Sequence, residues 1–215
     1  AWEQFRLPWE VPAASDLPVE RMASLSLAED EETISVQGAD FRLTLGKREG
    51  TIISWVHQGR ELLAAGPRLS IWRAPTDNDE SRRPSPASAH VWRYVGYDRL
   101  QHHTRRTLVE RLADGAARVT IVAHATPPDR SIGFGCTYLY TIYGSGDVVI
   151  ETQVRPGYQL PPVPRWGMQL RLPQGFETLT WFGAGPHECY SDRKASGRLC
   201  QHGCTVDGQH VPYVT

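Results

Sequence analysis

The sequence predicts an all-β protein built as a large antiparallel β-sandwich. Apolar and polar residues alternate with a period of two over short runs such as residues 41–45, which is typical of half-buried strands. Turn residues join such runs into hairpins, most clearly between residues 134–143 and 148–154. Only residues 91–95 show the spacing of a short helix. About ten strands joined mostly by hairpins favour two stacked antiparallel sheets.

Turn residues fix where several of these strands end. Gln58-Gly59 and Asp114-Gly115 each separate two strands, because glycine adopts a positive φ without strain. The acidic run at residues 29–32 is expected on a solvated face of the protein. The predicted strands are residues 1–7, 41–45, 52–57, 60–63, 69–72, 104–112, 118–124, 134–143, 148–154, 165–172 and 178–182.

Length and composition favour one large domain. The chain has 215 residues, of which 40% are hydrophobic, and this is enough for a real core. Its 23 basic and 24 acidic residues nearly cancel, which argues against a nucleic-acid partner. No apolar run approaches the ~18 residues of a membrane-spanning helix, so no membrane partner is expected.

The four cysteines are too few for a disulfide framework in a chain of this length. Cys200 and Cys204, with His202 between them, have the look of half a zinc site. A structural zinc site needs a second half, and the sequence shows none. Reduced thiols in the cytoplasm, with no metal bound, are therefore the favoured interpretation. The cysteines are Cys136, Cys189, Cys200 and Cys204.

A long polar loop follows the predicted strand at residues 69–72. Residues 77–89 are polar and rich in proline, and loops of this length tend to be functional or disordered. Short Asx side chains at residues 77–79 commonly bind their own backbone and hold a turn. The oxygens of residues 77–80 suit a hard cation such as calcium, although the spacing is not that of an EF-hand loop. Whether a cation binds there stays open.

A second polar cluster follows the strand at residues 178–182. Gly183, Gly185 and Pro186 favour an abrupt turn after that strand. Two carboxylates, a tyrosine and an arginine come next, and adjacent Asp and Arg residues commonly fix loops. The sequence therefore predicts a structural polar corner formed by Glu188, Tyr190, Asp192 and Arg193.

Both polar segments resemble motifs of the β-galactosidases of glycoside hydrolase family 2, in their C-terminal β-sandwich domain. Residues 72–79 are similar to the family's R-A-P-x-D-N-D. Residues 181–193 are similar to its W-x-G-x-G-P-x-E-x-Y-x-D-R, with Cys189 where the family usually has Asn. The matching positions are Trp181, Gly183, Gly185, Pro186, Glu188, Tyr190, Asp192 and Arg193.

The resemblance implies a domain organisation. Residues 1–10 would be the end of a preceding immunoglobulin-like domain, and residues 11–30 would be a linker. Residues 31–215 would belong to the family's C-terminal sandwich, a supersandwich like that of galactose mutarotases. In the family this sandwich continues further, so the copy here is expected to be incomplete at its C-terminus.

The resemblance also implies a function. The parent enzyme would hydrolyse terminal β-D-galactosides such as lactose with retention. Its two catalytic glutamates lie in an (α/β) barrel that this sequence lacks, so no catalytic residue is expected here and the isolated chain should be inactive. The loop after D-N-D would lie near the active-site mouth. The family often has Gly soon after D-N-D, whereas this sequence has Glu80-Ser81-Arg82 there. The loop residues are Asp77, Asn78, Asp79, Glu80, Ser81, Arg82 and Arg83.

Aromatic and acidic side chains allow a further interpretation as sugar-binding or catalytic groups. Trp55, Trp72, Trp166 and Trp181 lie within predicted strands and are expected to fill the core. Trp92, beside the long loop, is the best exposed candidate for stacking on a sugar. Retaining glycosidases hold two carboxylates about 5 Å apart. The acidic pairs here are better explained as turn and corner residues.

Partners follow from the same resemblance. The chain itself is expected to bind no cofactor, whereas the parent would use Mg²⁺ and Na⁺. The expected partners are the remaining domains or a large subunit, the galactoside substrate and further copies in a homo-oligomer, all in the cytoplasm. Two alternatives remain: a free-standing carbohydrate-binding or mutarotase-like sandwich, and a structural interaction module.

Overall fold

The computed structural model describes Gln4 and residues 17–80, 85–86, 88–187, 189 and 194–210. These residues form thirteen strands and one α-helix, α1 (Ala89–Val95), which confirms the all-β prediction. No helix among them is long and apolar enough to cross a membrane. The strands are β1 (Ser26–Glu29), β2 (Thr33–Gln37), β3 (Phe41–Gly46), β4 (Thr51–His57), β5 (Arg60–Glu61), β6 (Ala65–Ser70), β7 (Gln101–Ala113), β8 (Ala116–Thr126), β9 (Phe134–Tyr143), β10 (Val148–Pro156), β11 (Gly167–Arg171), β12 (Thr178–Gly185) and β13 (Arg198–Thr205).

The chain divides into two compact units. The first, residues 17–173, holds a five-stranded sheet ordered β1-β2-β3-β4-β5, a four-stranded sheet ordered β10-β9-β8-β7, and the pair β11-β6. The second contains the described residues from 174 to 210 with Gln4, and it holds the antiparallel pair β12-β13. In this second unit the Gln4 amide exchanges two hydrogen bonds with the backbone of Leu199. The rest of the strand predicted at residues 1–7 lies outside the described residues.

The core of the first unit joins its two larger sheets. Alternate residues of β3 and β8 face inward, so that Leu43, Leu45, Val119 and Ile121 are fully buried in one hydrophobic cluster. Apolar side chains from both sheets belong to this cluster, as expected for two layers packed face to face. The predicted antiparallel sandwich is therefore confirmed.

Two buried tyrosines of β9 tie this core to other strands. The Tyr138 hydroxyl accepts a hydrogen bond from Leu69 N at 3.2 Å, and the Tyr140 hydroxyl lies 3.5 Å from Thr51 Oγ1. Burial raises the pKa of both phenols, so they remain protonated in the core. Because an unpaired buried hydroxyl is costly, these contacts favour one position of β4 and β6 relative to β9.

β6 passes very close to β4. At Gly66 a Cβ atom would lie 1.9 Å from the carbonyl oxygen of Ile52, so only glycine fits without a shift of the backbone. Thr51 Oγ1 donates to the carbonyl oxygen of Pro67 at 2.7 Å and holds the same approach. This contact sets the course of β6, and hence the point where the chain leaves the sheet toward residue 73.

Both predicted glycine turns are present. Gln58 and Gly59 have φ values of 49° and 79° between β4 and β5, and residues 114–115 connect β7 to β8. The predicted strand at residues 69–72 instead spans Ala65–Ser70. Pro67 lies inside it, and a proline in a run normally argues against a strand.

Three strands, β1, β2 and β13, are absent from the predicted set. The acidic run is exposed as expected, and it forms the turn between β1 and β2. Strand β1 lies within residues 11–30, the segment expected to be a linker. The Asp30 carboxylate accepts hydrogen bonds from the amides of Thr33 (2.6 Å) and Glu32 (2.8 Å), which lower the pKa of Asp30. An aspartate of the acidic run thus stabilises the turn through its side chain, which the charge pattern alone does not show.

The four tryptophans predicted to lie within strands are buried to different degrees. Trp55 and Trp72 are partly buried against the core, as predicted. Trp166 is 53% exposed, so its assignment to the core is wrong in this structure, although its ring meets Phe134 edge to face. Trp181 is half-buried in the second unit.

His102 turns inward at the start of β7. Its Nε2 atom is buried and has no hydrogen-bond partner among the described residues. Burial, with smaller contributions from Arg68 and His103, lowers the pKa of His102 to about 4. The strand alternates its faces, so His103 is exposed while His102 is not.

We predict that Gly66→Ala destabilises the chain by about 1–3 kcal/mol, since the new methyl overpacks the contact with β4. Gly135→Ala on β9 is the matched control, because the nearest atom to a Cβ there is 3.8 Å away. Urea unfolding of the two variants measures the difference. Equal stabilities would contradict the close approach.

We predict that His102→Asn weakens the acid sensitivity of folding. The folded-state pKa lies below the ordinary value of 6.5, so stability is fully present above pH 6.5 and falls toward pH 4 as the unfolded chain takes up the proton. The wild type should lose about 2 kcal/mol more than the variant across this window. His103→Asn, on the exposed face, is the control. Parallel pH profiles for wild type and His102→Asn would refute the burial of this imidazole.

Candidate functional site

The polar loop after β6 is built on a charge pair. The guanidinium of Arg73 forks onto the carboxylate of Asp79, with Nη1 donating to Oδ2 and Nη2 to Oδ1 at 2.9 Å. Both side chains are largely buried, at 16% and 12% exposure. A bidentate pair of this kind fixes orientation as well as proximity.

Thr76 closes the turn around the same carboxylate. Its amide and its hydroxyl donate to Asp79 Oδ2 at 2.8 and 2.9 Å, and Asp79 N donates back to the carbonyl of Thr76. The prediction that an Asx residue of this motif holds the turn through its own backbone is confirmed for Asp79. Burial alone would raise the pKa of Asp79, but the hydrogen bonds from Arg73 and Thr76 outweigh it and lower the pKa.

Trp92 lies beneath this charge pair and is not exposed. Its side chain is 2% exposed, its ring centroid is 5.3 Å from the guanidinium carbon of Arg73, and its indole N–H donates to Pro162 O at 2.9 Å. The prediction that Trp92 is available for stacking on a sugar is therefore wrong. Helix α1 turns this residue inward, between the Ser88 cap and Gly96 with φ 84°.

The two ends of the long loop are tied to each other. Ala89 N donates to the carbonyl of Asp79 at 2.9 Å, where α1 begins. Arg93 of α1 lies 2.7 Å from the Glu80 carboxylate, and its guanidinium is 5.9 Å from the Trp72 ring centroid. The base of the loop is thus closed by backbone and side-chain contacts, whereas Ser81, Arg82 and Arg83 lie outside the described residues.

A proline-rich segment, residues 160–164, completes the site and is absent from the predicted set of site residues. Three of its carbonyl oxygens accept hydrogen bonds from the side chains around the charge pair. Proline has no N–H, and an extended proline-rich run forms no internal hydrogen bonds, so its carbonyl oxygens are available to other side chains. The run of prolines is therefore the feature of the sequence that could have indicated this role. Burial raises the pKa of the Tyr97 donor to about 12. The pairs are Tyr97 Oη to Pro161 O (2.6 Å), Trp92 Nε1 to Pro162 O (2.9 Å) and Arg73 Nε to Pro164 O (3.4 Å).

Asp77 and Asn78 form the tip of the described part of the loop. Both are exposed, in contrast to the largely buried Asp79 that follows. Asp79 and Glu80 are engaged with Arg73 and Arg93, which leaves their oxygens poorly placed for a cation. Over the part of the chain that the structure describes, no three His, Cys, Asp or Glu residues lie close enough together to hold a metal ion.

A groove of about 810 Å³ runs beside Arg73 in the first unit. The charged side chains of its described lining are mostly basic and include Arg68, Arg165 and Arg171. The carboxylate in that lining is Asp98, which pairs with Arg99 at 2.9 Å. The described lining of this groove therefore lacks the pair of carboxylates that glycoside hydrolysis usually needs.

The predicted polar corner falls largely outside the described residues. Glu188, Tyr190, Asp192 and Arg193 are not described, so their grouping stays a prediction. The abrupt turn expected before them is present, since β12 ends at Gly185 and the Gly185–Pro186 peptide is cis.

Comparison with known proteins agrees with the motifs. The family profile described as the β-galactosidase small chain matches residues 37–215. The β-galactosidase of Priestia megaterium is 34% identical over 216 residues, which is all of this chain and 20% of that protein. Those of Psychromonas ingrahamii and Kluyveromyces lactis are each 30% identical, covering 100% and 93% of this chain and 21% and 19% of their own lengths.

The chain thus spans about a fifth of the length of the curated relatives it matches. The matched region includes both polar motifs and nearly all of the described strands. The chain belongs to the β-galactosidase small chain family.

Proposed function

We propose that this chain is the supporting sandwich of a β-galactosidase that hydrolyses terminal β-D-galactosides such as lactose with retention. In this proposal the chain holds the loop of residues 77–83 beside the substrate and supplies neither the acid nor the nucleophile. The observation that carries the proposal is the buried fork of Arg73 on Asp79 at the base of the loop.

The environment of Asp79 suits a structural role. A general acid must hold a proton near neutral pH, and enzymes achieve this by raising the pKa of a carboxyl. The pKa of Asp79 is lowered instead. A nucleophile needs a free oxygen, whereas both oxygens of Asp79 accept hydrogen bonds from Arg73 and one also from Thr76. The catalytic glutamates would then come from the rest of the parent, as the family resemblance implies.

The exposed tip is the part of the loop suited to binding. Rigid scaffolds commonly present binding groups on loops, and Asp77 and Asn78 project from a base that is fixed on both sides. Carboxylate and amide groups can accept and donate hydrogen bonds to sugar hydroxyls. We therefore assign substrate contact to the tip and rigidity to the Arg73–Asp79 pair.

Ions and partners complete the proposal. Mg²⁺ and Na⁺, which the family resemblance implies for the parent, do not fit the described residues, since Asp79 and Glu80 are engaged with arginines. Such ions would be held elsewhere in the parent. The partners would be the remaining domains or a large subunit and further copies of the enzyme. The four free cysteines accord with a cytoplasmic location.

We predict that Arg73→Ala lowers the stability of the chain by about 2–3 kcal/mol, because it leaves the largely buried Asp79 carboxylate without its positively charged partner. Arg73→Lys should recover part of the loss, since lysine keeps the charge but not the fork. Glu80→Gln is the matched control at the half-exposed neighbouring pair and should cost under about 1 kcal/mol. Urea unfolding measures all three. Similar losses for Arg73→Ala and Glu80→Gln would contradict a structural role for the fork.

We predict that Asn78→Ala in the full-length parent raises KM for a chromogenic β-galactoside by at least about threefold, because a substrate contact is lost. Its melting temperature should be unchanged, since the residue is exposed. Asp40→Asn, at an exposed pair with His57 outside the lining of the groove beside Arg73, is the control.

The same kinetics separate the possible failures. A parent without any galactoside turnover would overturn the proposed activity, and unchanged kinetics in Asn78→Ala would overturn only the role of the tip. The 215-residue chain alone serves as the blank. Turnover by this chain would contradict the assignment of catalysis to other domains, and tight galactose binding by it would favour a free-standing carbohydrate-binding module.

A further inference from the structure

The second unit contains a thiol and an imidazole in contact, and the proposed function uses neither. Alternate residues of a strand share one face, and Cys200, His202 and Cys204 occupy the half-buried face of β13. Cys200 Sγ lies 3.3 Å from Nε2 and 3.8 Å from Nδ1 of His202. A cysteine this close to an imidazole is a candidate nucleophile rather than an inert thiol.

The imidazole is held in place by two further contacts. Its ring stacks on Trp181, with centroids 5.1 Å apart and an interplanar angle of 29°. Nε2 lies 3.1 Å from the carbonyl oxygen of Arg198. Because a carbonyl only accepts, we assign the ring hydrogen to Nε2, which leaves the lone pair of Nδ1 within reach of the Cys200 thiol. A nucleophile, a base and a third group that orients the base are thus present together.

The strand pairing leaves space next to this thiol. In the β12-β13 ladder Cys200 is opposite Gly183, which has no side chain, while Trp181 is opposite His202. Cys200 and His202 both retain partial solvent exposure. A small reagent can therefore approach the sulfur, as a reactive cysteine requires.

The other three cysteines have different surroundings. Cys136 is buried, at 1% exposure, and burial raises the pKa of its thiol. Cys189 Sγ donates to the carbonyl of His187 at 3.4 Å. Cys204 lies on the same face of the same strand as Cys200, and its sulfur accepts a hydrogen bond from Gln209 Nε2 at 2.8 Å. An amide N–H only donates, so it cannot take up the thiol proton as an imidazole can.

We infer that Cys200 is an activated thiol and the site of exchange with low-molecular-weight disulfides. His202 takes the proton of the Cys200 thiol, and the resulting thiolate attacks one sulfur of the disulfide. A new S–S bond forms to Cys200 as the S–S bond of the reagent breaks. The departing thiolate takes the proton from the imidazolium of His202 and leaves as a free thiol, so the exchange needs no other oxidant.

The test treats the full-length protein with oxidised glutathione at pH 7 and follows each cysteine by peptide mass spectrometry. Cys200 should form the mixed disulfide at least about tenfold faster than Cys204, its matched neighbour on the strand. His202→Gln should reduce the rate at Cys200 to that at Cys204. Gln201→Ala, on the opposite face of β13, should leave the rate at Cys200 unchanged.

Two outcomes would overturn the inference. The first is equal rates at Cys200 and Cys204 in the wild type, which requires no variant that folds. The second is fast reaction at Cys200 in His202→Gln. Because Cys136 is buried in the first unit, its continued protection shows that the core of that unit remains folded in each variant.

Discussion

The loop that follows β6 depends on one interaction, the fork of Arg73 on Asp79. Asp79 is surrounded by donors from Arg73 and from both the amide and hydroxyl of Thr76, so its charge is satisfied although it is largely buried. Removing any donor leaves a carboxylate in a poorly solvated place. The motif R-A-P-x-D-N-D therefore encodes a fixed turn. Its last residue, Asp79, is bound by Arg73 and Thr76, while Asp77 and Asn78 face solvent.

The fork is held in turn by segments far away in the sequence. The Trp92 ring supports the guanidinium of Arg73, and carbonyls of residues 161–164 accept from both side chains. Gly66 and Tyr138 set the position of β6, from which the loop departs. Strand packing, a short helix and a proline-rich run thus converge on one polar turn, as expected when a rigid scaffold positions a loop.

The sequence predicts best what depends on near neighbours. The hairpin at Gln58-Gly59 and the helix α1 follow from local turn and spacing signals, and the structure contains both. The indole N–H of Trp92 is satisfied by a carbonyl 70 residues away in the sequence. The polar residues next to Trp92 therefore suggest that it is exposed, although the fold places it in the core. β13 is not predicted from the sequence because its half-buried face carries Cys200, His202 and Cys204. Without clearly apolar residues at alternate positions, the usual strand pattern is missing.

Hydrogen exchange in the loop tests the central claim most directly. The amides of Asp79 and Glu80 donate to Thr76, and the amide of Ala89 donates to Asp79, so all three should be protected while the fork is intact. In Arg73→Lys we expect these amides to lose protection by about tenfold or more, while the amides of β8 and β9 keep theirs. Unchanged protection of the three amides would show that the turn holds without the fork and would contradict the account.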